Sequence, residues 1–549
     1  MLNIGSGILS ILVYVTLIIE LIFMVTLSPF TLFHDIHYYI FLLLFFDSLI
    51  RLLIRPMKSF GYKRLMLGFL SILPILSYHS SFFFFIDINL GVQQALLLVI
   101  AVTRIQHLSF LFEPFRSNPT QSFVGGFLLF VLLGAVFLMM PIAHHHPMPF
   151  IDALFTSASA VCVTGLSVFD IGTSLTPFGQ MVLMILIQIG GLGIMTFYAL
   201  VTISLSQRFL SSESQEFQDS WSTESMKETF GLIRSIIFVT FFVELIGAVF
   251  IFFSLPPAVD GIKSKLFHAI FHSISAFCNA GFSLFSDSLA VFSTSIPMIV
   301  IFSTLILLGG IGFPVIFELF HRYVIKDKHR LKLQTKMVLY VSGLLIIVGA
   351  LVLILQSIVF QGAANTSSLL LSLFHSISAR TAGFSMHDIS NYSMASLWFI
   401  LILMFVGASP GSTGGGIKTT TFGLLVVALF STIRSQARIH IFGRHVKPQL
   451  IFKAMAIVTL SSLMVFFLFF ILLTTEDIPF FPLLFETVSA FATVGYSMGV
   501  TDELSTTGKL IIIFLMFFGR VGPLTLAIAL TKRPKPANYK LPDEHVLLG

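Results

Sequence analysis

The chain has 549 residues, of which 56% are hydrophobic and 10% are charged, and its mean hydropathy is +0.98. Soluble domains carry about 25% charged residues, so this composition excludes a soluble globular enzyme. Two cysteines are too few for a secreted disulfide-bonded domain. Long apolar runs recur along the chain and indicate a polytopic α-helical membrane protein. We expect no cleavable signal peptide, because the first apolar stretch lacks a basic region before it and a small-residue cleavage site after it.

Twelve apolar segments have the length needed to cross a bilayer. They lie near residues 8–28, 37–55, 64–79, 91–112, 122–141, 175–205, 231–255, 296–320, 337–359, 396–429, 451–473 and 509–531. Four shorter apolar pieces lie near residues 151–164, 266–280, 369–382 and 482–494. These pieces are too short to cross, so they are predicted to be re-entrant.

The Lys and Arg residues predict the orientation of these segments. A cytoplasmic N-terminus puts most of them on the cytoplasmic side, in the basic segments 51–64, 322–336, 434–447 and 532–540. The net charge of +6 therefore reflects orientation in a lipid bilayer, and we predict no binding to nucleic acid.

Four stretches of the chain resemble one another. They have the sequences ALFTSASAVCVTGLS from Ala153, AIFHSISAFCNAGFS from Ala269, SLFHSISARTAGFS from Ser372 and LLFETVSAFATVGYS from Leu483. Each runs from a Phe through small polar residues to one glycine, and these glycines are Gly165, Gly281, Gly383 and Gly495. Because every stretch lies between spanning helices of the same orientation, we predict a fourfold internal repeat.

The predicted fold class is an all-α polytopic membrane protein. It has four parallel helix–pore-hairpin–helix repeats around a pseudo-fourfold pore, plus four N-terminal transmembrane helices. The predicted repeats are residues 119–225, 226–331, 332–445 and 446–535, within an ion-conducting domain of residues 119–549 that ends in a short cytoplasmic tail. Residues 1–118 have too few arginines at three-residue spacing for a voltage sensor, so they are predicted to be a scaffold or a dimer contact.

The loop at each glycine has the chemistry of a cation site. Backbone carbonyls from four loops can replace the hydration shell of a cation without fixed charge. The fourth loop, Thr493-Val494-Gly495-Tyr496, contains the TVGY core of potassium-channel filters, and the other three are degenerate versions of it. The loop sequences carry no Asp or Glu, which argues against a divalent-selective filter, and no ring of Lys or Arg suggests an anion pore.

A glycine-rich insert, Gly407–Thr421, interrupts the apolar run of the third repeat. Each glycine costs about 1 kcal/mol in a helix relative to alanine, so a regular helix is unfavourable for the sequence GASPGSTGGGIKTTT. A broken helix at membrane depth must line a cavity or pack inside the protein. We therefore predict a flexible polar plug across the inner vestibule. The insert lacks the GxxxxGK[ST] spacing of a phosphate-binding loop.

The four glycine loops together with this insert resemble the Ktr/Trk/HKT superfamily of potassium-transporting membrane proteins, over about residues 119–535. The resemblance implies that the potassium filter is formed by Val163, Thr164, Gly165, Asn279, Ala280, Gly281, Thr381, Ala382, Gly383, Thr493, Val494 and Gly495. With glycine at all four filter positions, the chain resembles the potassium-selective members of the superfamily. Sodium-selective members have serine at the first filter position.

The same resemblance implies that the insert is an intramembrane gating loop. The implied gate residues are Gly407, Ser409, Gly411, Gly414, Gly415, Gly416, Lys418 and Arg520. It also implies a homodimer in which each chain has its own pore, a ring of cytosolic nucleotide-binding regulatory subunits, and a location in the plasma membrane, which is the inner membrane in bacteria. For Lys418 and Arg520 the alternatives are snorkelling or the capping of backbone carbonyls.

The sequence allows alternatives for the role of Arg380, for the transported ion and for the class of protein. Arg380 either tunes the filter or forms a structural pair with Glu486. The same fold could carry sodium or monovalent cations broadly, and sodium could act as a coupling or regulatory ion beside potassium. A membrane-embedded enzyme would need a cluster of acid, base or metal-binding groups at membrane depth, and only isolated acids are found there. We therefore predict a potassium uptake protein and no enzyme activity.

Overall fold

The computed structural model describes residues 119–193, 226–256, 261–324, 326, 330–361, 366–436 and 438–523. The predicted four-helix extension, residues 1–118, and the tail after residue 523 lie outside these residues. The regular elements that are described are helical except for a small hairpin of β1 (His440–Ile441) and β2 (Arg444–His445). Its antiparallel register pairs His440 with His445 and Ile441 with Arg444.

The described helices fall into four units with the same order: a first helix, a short helix, a connecting segment and a second helix. Unit one has α1 (Pro119–Leu138), α2 (Phe150–Cys162), the one-turn α3 (Ile171–Ser174) and α4 (Pro177–Gly191). Unit two has α5 (Met226–Ser254), α6 (Ile262–Phe277), a 3-10 helix (Ala290–Phe292), α7 (Ile296–Ile311) and α8 (Phe313–Tyr323). Unit three has α9 (Leu333–Gln361), α10 (Thr366–Ser378), a 3-10 helix (Ile389–Asn391), α11 (Met394–Phe405) and α12 (Thr419–Ile433). Unit four has α13 (Pro448–Thr475), α14 (Phe480–Ala492) and α15 (Thr506–Val521).

The first helices of units two to four are the long apolar ones. Within the described part of the chain, Ile236–Ser254, Leu333–Val359 and Pro448–Thr475 are each long and apolar enough to cross a membrane. Large apolar side chains on these helices point outward, and Phe253 is 79% exposed. An exposed apolar belt of this kind is expected where a helix contacts lipid.

Two predicted spans are broken in the structure. The segment near 296–320 is not one helix, because α7 and α8 meet at Gly312 with a bend of 100°. Gly312 has a φ of 98°, which a helix cannot contain, and Pro314 in the first turn of α8 has no N–H to continue the ladder. The segment near 396–429 is likewise two helices, α11 and α12, separated by residues 406–418.

The short helices are anchored to the first helices by serine hydroxyls. Three such hydroxyls donate to a carbonyl oxygen of the neighbouring first helix: Ser157 to Val131 at 2.6 Å, Ser273 to Glu244 at 2.6 Å and Ser376 to Ile346 at 2.9 Å. A glycine on the first helix makes the close approach possible, because a Cβ at Gly134 would overlap the Ser157 hydroxyl. Serine thus satisfies a buried backbone carbonyl while fixing two helices together.

The second helices connect each unit to the next. Contacts join α4 with α6, α7 with α10, α11 with α14, and α15 with α2, so the four units close into a circle. Three of these helices begin with a hydroxyl cap, in which Thr176, Ser393 and Ser505 accept a backbone N–H three residues later. Glycines let the second helices approach closely, since a Cβ at Gly190, Gly309 or Gly519 would overlap a main-chain carbonyl oxygen near the end of a short helix.

Candidate functional site

The four predicted loop glycines lie in one closed ring, which we call the glycine ring (Gly165, Gly281, Gly383 and Gly495). All four have positive φ, at 91°, 71°, 67° and 95° respectively. A Cβ on each of them would meet the carbonyl oxygen of the residue that precedes the glycine of another loop. These oxygens belong to Ala280 for Gly165, Ala382 for Gly281, Val494 for Gly383 and Thr164 for Gly495. The contacts therefore run around a complete circle in which a side chain on any glycine has no room.

The main chain just before each glycine is turned in a regular way. The N–H groups of Thr164, Ala280, Ala382 and Val494 donate back to a serine carbonyl of their own short helix, at 2.8, 2.8, 2.9 and 3.0 Å. In three loops the residue two positions before the glycine is also left-handed: Val163, Asn279 and Thr493 have φ of 58°, 60° and 51°. The N–H groups are thus satisfied by the short helices, and the carbonyl oxygens of the same residues lie close to the glycines of neighbouring loops.

The third loop is built differently because it is one residue shorter. Gly383 follows Phe374 by nine positions, whereas the corresponding spacing in the other loops is ten positions. Thr381 accordingly has no positive φ, and both Ala382 and Gly383 donate to the Ser378 carbonyl oxygen. Thr381 instead donates to the side-chain oxygen of Asn279 at 2.9 Å, in the amide orientation that also satisfies the Asn279 nitrogen. This bond connects the second loop to the third.

Oxygen atoms without a protein partner lie beside the ring. Among the described residues, the hydroxyls of Thr164 and Thr493 are buried and form no hydrogen bond. Buried hydroxyls normally find a partner, so an unpaired one is an oxygen available to a ligand. With the loop carbonyls, they supply the type of uncharged oxygen donor that a dehydrated cation needs.

The predicted gating insert lies directly against the ring residues. We call residues 406–418 the 406–418 loop. A Cβ at Gly414 would contact the Thr381 side chain, and one at Gly415 would contact Thr493. The Thr413 hydroxyl donates to the Phe277 carbonyl oxygen, at the end of α6, at 3.3 Å. The loop therefore covers the ends of short helices from units two, three and four.

Main-chain bonds hold the 406–418 loop to the bend between α7 and α8. The N–H groups of Ser409 and Thr413 donate to the carbonyl oxygens of Gly310 and Gly309, each at 3.2 Å. In return, the Phe313 N–H donates to the Gly411 carbonyl oxygen at 2.9 Å. The break at Gly312 thus frees backbone groups that the loop satisfies, which explains why the predicted single span 296–320 cannot form.

Two basic side chains add further bonds to this loop. Lys418 donates from Nζ to the carbonyl oxygens of Gly414 at 2.7 Å and Gly415 at 3.5 Å. Arg520, on α15 of unit four, donates to the carbonyl oxygens of Thr413 and of Gly190 in unit one. Both predicted gate residues therefore cap carbonyls, and Arg520 links three units through one guanidinium.

Of the two interpretations of Arg380, the structural pair with Glu486 is wrong. Arg380 lies two residues past the end of α10, where it is 6% exposed and donates to the Ser342 hydroxyl at 3.3 Å and the Gly407 carbonyl oxygen at 3.4 Å. Glu486 lies earlier on its own short helix and accepts from the Thr501 hydroxyl at 2.5 Å. Arg380 lies past the end of its short helix and Glu486 lies in the middle of its own, so their side chains have different neighbours. Arg380 also lines a cavity of about 150 Å³ between α7 and α9.

Several contacts around the site were not predicted from the sequence. Lys509 at the start of α15 forms a salt bridge of 2.7 Å with Asp152 in the first turn of α2, which joins unit four to unit one. His272 and His375 bond to the main chain that follows the second and third glycines. Both histidines follow the phenylalanine of an FHSIS sequence, one in unit two and one in unit three. This shared position is the signal in the sequence that could have identified them.

The comparisons of this chain with known proteins agree on one family. The family model described as TrkH, a cation transport protein, matches residues 94–541. The Ktr system potassium uptake protein B of Bacillus subtilis is 39% identical over 438 residues, which cover 79% of this chain and 97% of that protein. The protein of the same name from Vibrio alginolyticus is 38% identical over 77% of this chain and 93% of its own length. The potassium/sodium uptake protein NtpJ of Enterococcus hirae is 35% identical over 79% of this chain and 98% of its own length.

A solved structure shares the fold. The crystal structure of the potassium transporter TrkH from Vibrio parahaemolyticus matches with a TM-score of 0.60 at 20% identity, over 91% of this chain and 98% of that chain. The predictions of an all-α membrane fold and of a transporter rather than an enzyme are confirmed. The resemblance found in the four loops and the insert is confirmed as well, and the chain belongs to the TrkH family of cation transport proteins.

Proposed function

We propose that this protein takes up potassium by channel-like passage along the axis of the glycine ring. The observation that carries the proposal is the closed circle in which each loop glycine faces the carbonyl oxygen of a neighbouring loop. In the proposal, the carbonyls of the twelve loop residues from Val163 to Gly165, Asn279 to Gly281, Thr381 to Gly383 and Thr493 to Gly495 form the filter. Four such loops can replace the water around a monovalent cation, as carbonyl rings do in potassium channels.

Potassium is favoured over sodium by two considerations. All four ring positions are glycine, and similar proteins from Bacillus subtilis and Vibrio alginolyticus are named potassium uptake proteins. A ring of uncharged oxygens binds a large monovalent cation at a low dehydration cost. Sodium, which the name of the Enterococcus hirae relative includes, enters our proposal as a competing or coupling ion to be tested.

The 406–418 loop is the proposed gate. It packs on Thr381 and Thr493, which flank the ring, and Lys418 and Arg520 bring two positive charges to it. A positive charge beside the path of a cation raises the barrier to its passage. We infer that uptake requires this loop, which includes Gly407, Ser409, Gly411, Gly414 and Gly416, to leave the position that its carbonyl bonds define.

The proposed setting follows the family. We infer that the chain lies in the plasma membrane with a cytoplasmic N-terminus, forms a homodimer and binds a ring of cytosolic nucleotide-binding subunits that move the gate. The relatives named as Ktr systems support a multi-subunit assembly. The basic segments 322–336 and 434–447 support a cytoplasmic face to which such subunits could bind.

Rubidium flux into proteoliposomes tests the function directly. Purified protein should carry rubidium, potassium should compete with it strongly, and sodium should compete weakly. Gly165→Ser should shift uptake towards sodium, because a serine side chain would overlap the Ala280 carbonyl oxygen and distort the ring. Intact protein that carries no rubidium under any nucleotide condition would overturn the proposal. Equal competition by sodium and potassium would favour a general monovalent cation transporter.

A further inference from the structure

The glycine ring has two halves that differ in backbone geometry. Gly165 and Gly495 have φ of 91° and 95°, whereas Gly281 and Gly383 have φ of 71° and 67°. Units one and four are adjacent in the circle, and so are units two and three. The ring is therefore closer to a pair of halves than to a fourfold arrangement of equal loops.

The last serine before each glycine forms different bonds in the two halves. In units one and four, the glycine N–H of Gly165 or Gly495 donates to the hydroxyl of Ser159 or Ser489, at 3.1 Å in both cases. In units two and three the corresponding hydroxyls donate to the carbonyl oxygen after the glycine: Ser275 to Phe282 at 2.8 Å and Ser378 to Phe384 at 2.7 Å. The serine hydroxyl thus bonds to a backbone N–H of the loop in one half of the ring and to a backbone carbonyl of the loop in the other half.

A histidine adds a second attachment in unit two. The Nδ1 of His272 faces the carbonyl oxygen of His268 at 2.8 Å, so Nδ1 carries the proton and donates. The Nε2 atom then accepts the N–H of Leu284 at 3.3 Å, three residues after the ring glycine, and lies 3.1 Å from the Ser283 hydroxyl. His272 is 1% exposed, so no bulk water replaces these bonds.

Unit three repeats this arrangement. The Nε2 of His375 accepts the N–H of Met386 at 3.2 Å, again three residues after the ring glycine. Its Nδ1 contacts the Tyr392 hydroxyl, and the side chain is completely buried. Neighbouring Tyr496 of unit four donates to the Phe384 carbonyl oxygen at 3.1 Å, so this segment of unit three is held on both sides.

The corresponding positions in units one and four do not form this bond. Thr156 occupies the position in unit one, and its hydroxyl has no partner among the described residues. Glu486 occupies it in unit four, where its carboxylate accepts from the Thr501 hydroxyl rather than from a main-chain N–H. The imidazole attachment therefore coincides with the half of the ring that has the lower glycine φ.

We propose that His272 and His375 are positioning residues that set the orientation of the ring carbonyls in units two and three, and thereby the discrimination between potassium and sodium. The proposal rests on the function proposed above. Removing the imidazole acceptor leaves the buried N–H of Leu284 or Met386 unpaired, and the loop must move to satisfy it. Because a carbonyl ring selects by the number and direction of its oxygens, such a movement changes selectivity before it changes the fold.

The test compares variants of similar volume in proteoliposomes. His272→Phe and His375→Phe keep a ring but cannot accept a hydrogen bond, whereas His272→Gln and His375→Gln retain an acceptor. We expect the ratio of rubidium to sodium uptake to fall by about tenfold in each Phe variant and to recover at least partly in each Gln variant. Thr156→Ala, at the corresponding position of unit one, is the matched control and should keep the wild-type ratio.

A second measurement covers variants that transport poorly. Thermal unfolding of the purified protein, in potassium and in sodium, reports the preference of the ring without flux. Wild type should gain more thermal stability from potassium than from sodium, and the Phe variants should lose that difference. The inference alone would be overturned if folded Phe variants kept the wild-type ratio of rubidium to sodium uptake and the wild-type gain in thermal stability from potassium. If the wild type itself took up no rubidium, the proposed function would be overturned as well.

Discussion

The glycine ring and the 406–418 loop are neighbours, but they are held by different kinds of contact. In the ring, main chain meets main chain, and the carbonyl oxygen of one loop fills the space where a Cβ of the next would lie. The 406–418 loop also has main-chain bonds, but Lys418 and Arg520 supply further bonds to its carbonyls. Long cationic side chains can rotate away from their partners, whereas the ring can change only if its backbone moves.

This difference suggests that the ring and the 406–418 loop, although they are neighbours, have different functions. A selective ring needs oxygens at fixed positions, and tight packing without side chains provides them. A gate needs a second position at low energetic cost, and contacts through rotatable side chains provide that.

The ring should tolerate no side chain. In Gly383→Ala, the new methyl group would overlap the Val494 carbonyl oxygen at a residue with φ of 67°, so we expect rubidium uptake to fall by about 100-fold or more. Gly126→Ala is the control, since a methyl group there meets no described atom within 4 Å, and it should transport normally. Near-normal uptake by Gly383→Ala would mean that the ring is not a rigid, close-packed structure.

The loop should open more easily when its side-chain contacts are removed. Arg520→Ala deletes the bonds to Thr413 and Gly190 and one positive charge, so basal rubidium uptake without regulatory subunits should rise by about tenfold. The exposed Arg444 of β2 provides a matched control, and Arg444→Ala should leave basal uptake unchanged. An unchanged or lower basal uptake in folded Arg520→Ala would contradict a gating role for this contact.

The anchors of the short helices should matter for stability. Ser157→Ala removes the donor to the Val131 carbonyl oxygen, at a buried site, and should lower the free energy of unfolding by about 1–2 kcal/mol. Thr304→Ala removes an exposed hydroxyl that bonds within its own helix, so its effect should be much smaller. Chemical denaturation in detergent measures both variants, and equal effects would show that the serine bond is not an anchor.

The smallest effect is expected at the contact between units four and one. Lys509 and Asp152 are 14% and 19% exposed and form a salt bridge of 2.7 Å near the ends of their helices. A double-mutant cycle of Lys509→Met and Asp152→Asn should give a coupling energy of about 0.5–1 kcal/mol, and raised salt should weaken it. A coupling energy of zero would show that the circle is closed by helix packing alone.

The predictability of the site differed between its parts for physical reasons. Gly495 and the other loop glycines were found from the sequence because a left-handed turn at membrane depth strongly favours glycine. The break of the span near 396–429 followed from its glycine content, but the bend at Gly312 was missed. One glycine in an apolar run indicates little by itself, and the bend exists because the 406–418 loop bonds to the backbone on both sides of it.

By itself, the sequence determined the membrane class, the four loops and the insert, because lipid demands long apolar helices and tight turns demand particular residues. Only the tertiary structure decided the partners of the polar side chains. Arg380 bonds to Ser342 and Gly407 rather than to Glu486, and Arg520 reaches Gly190 across 330 positions of the chain. Such partners depend on how distant helices pack against one another, and sequence spacing carries no direct information about that packing.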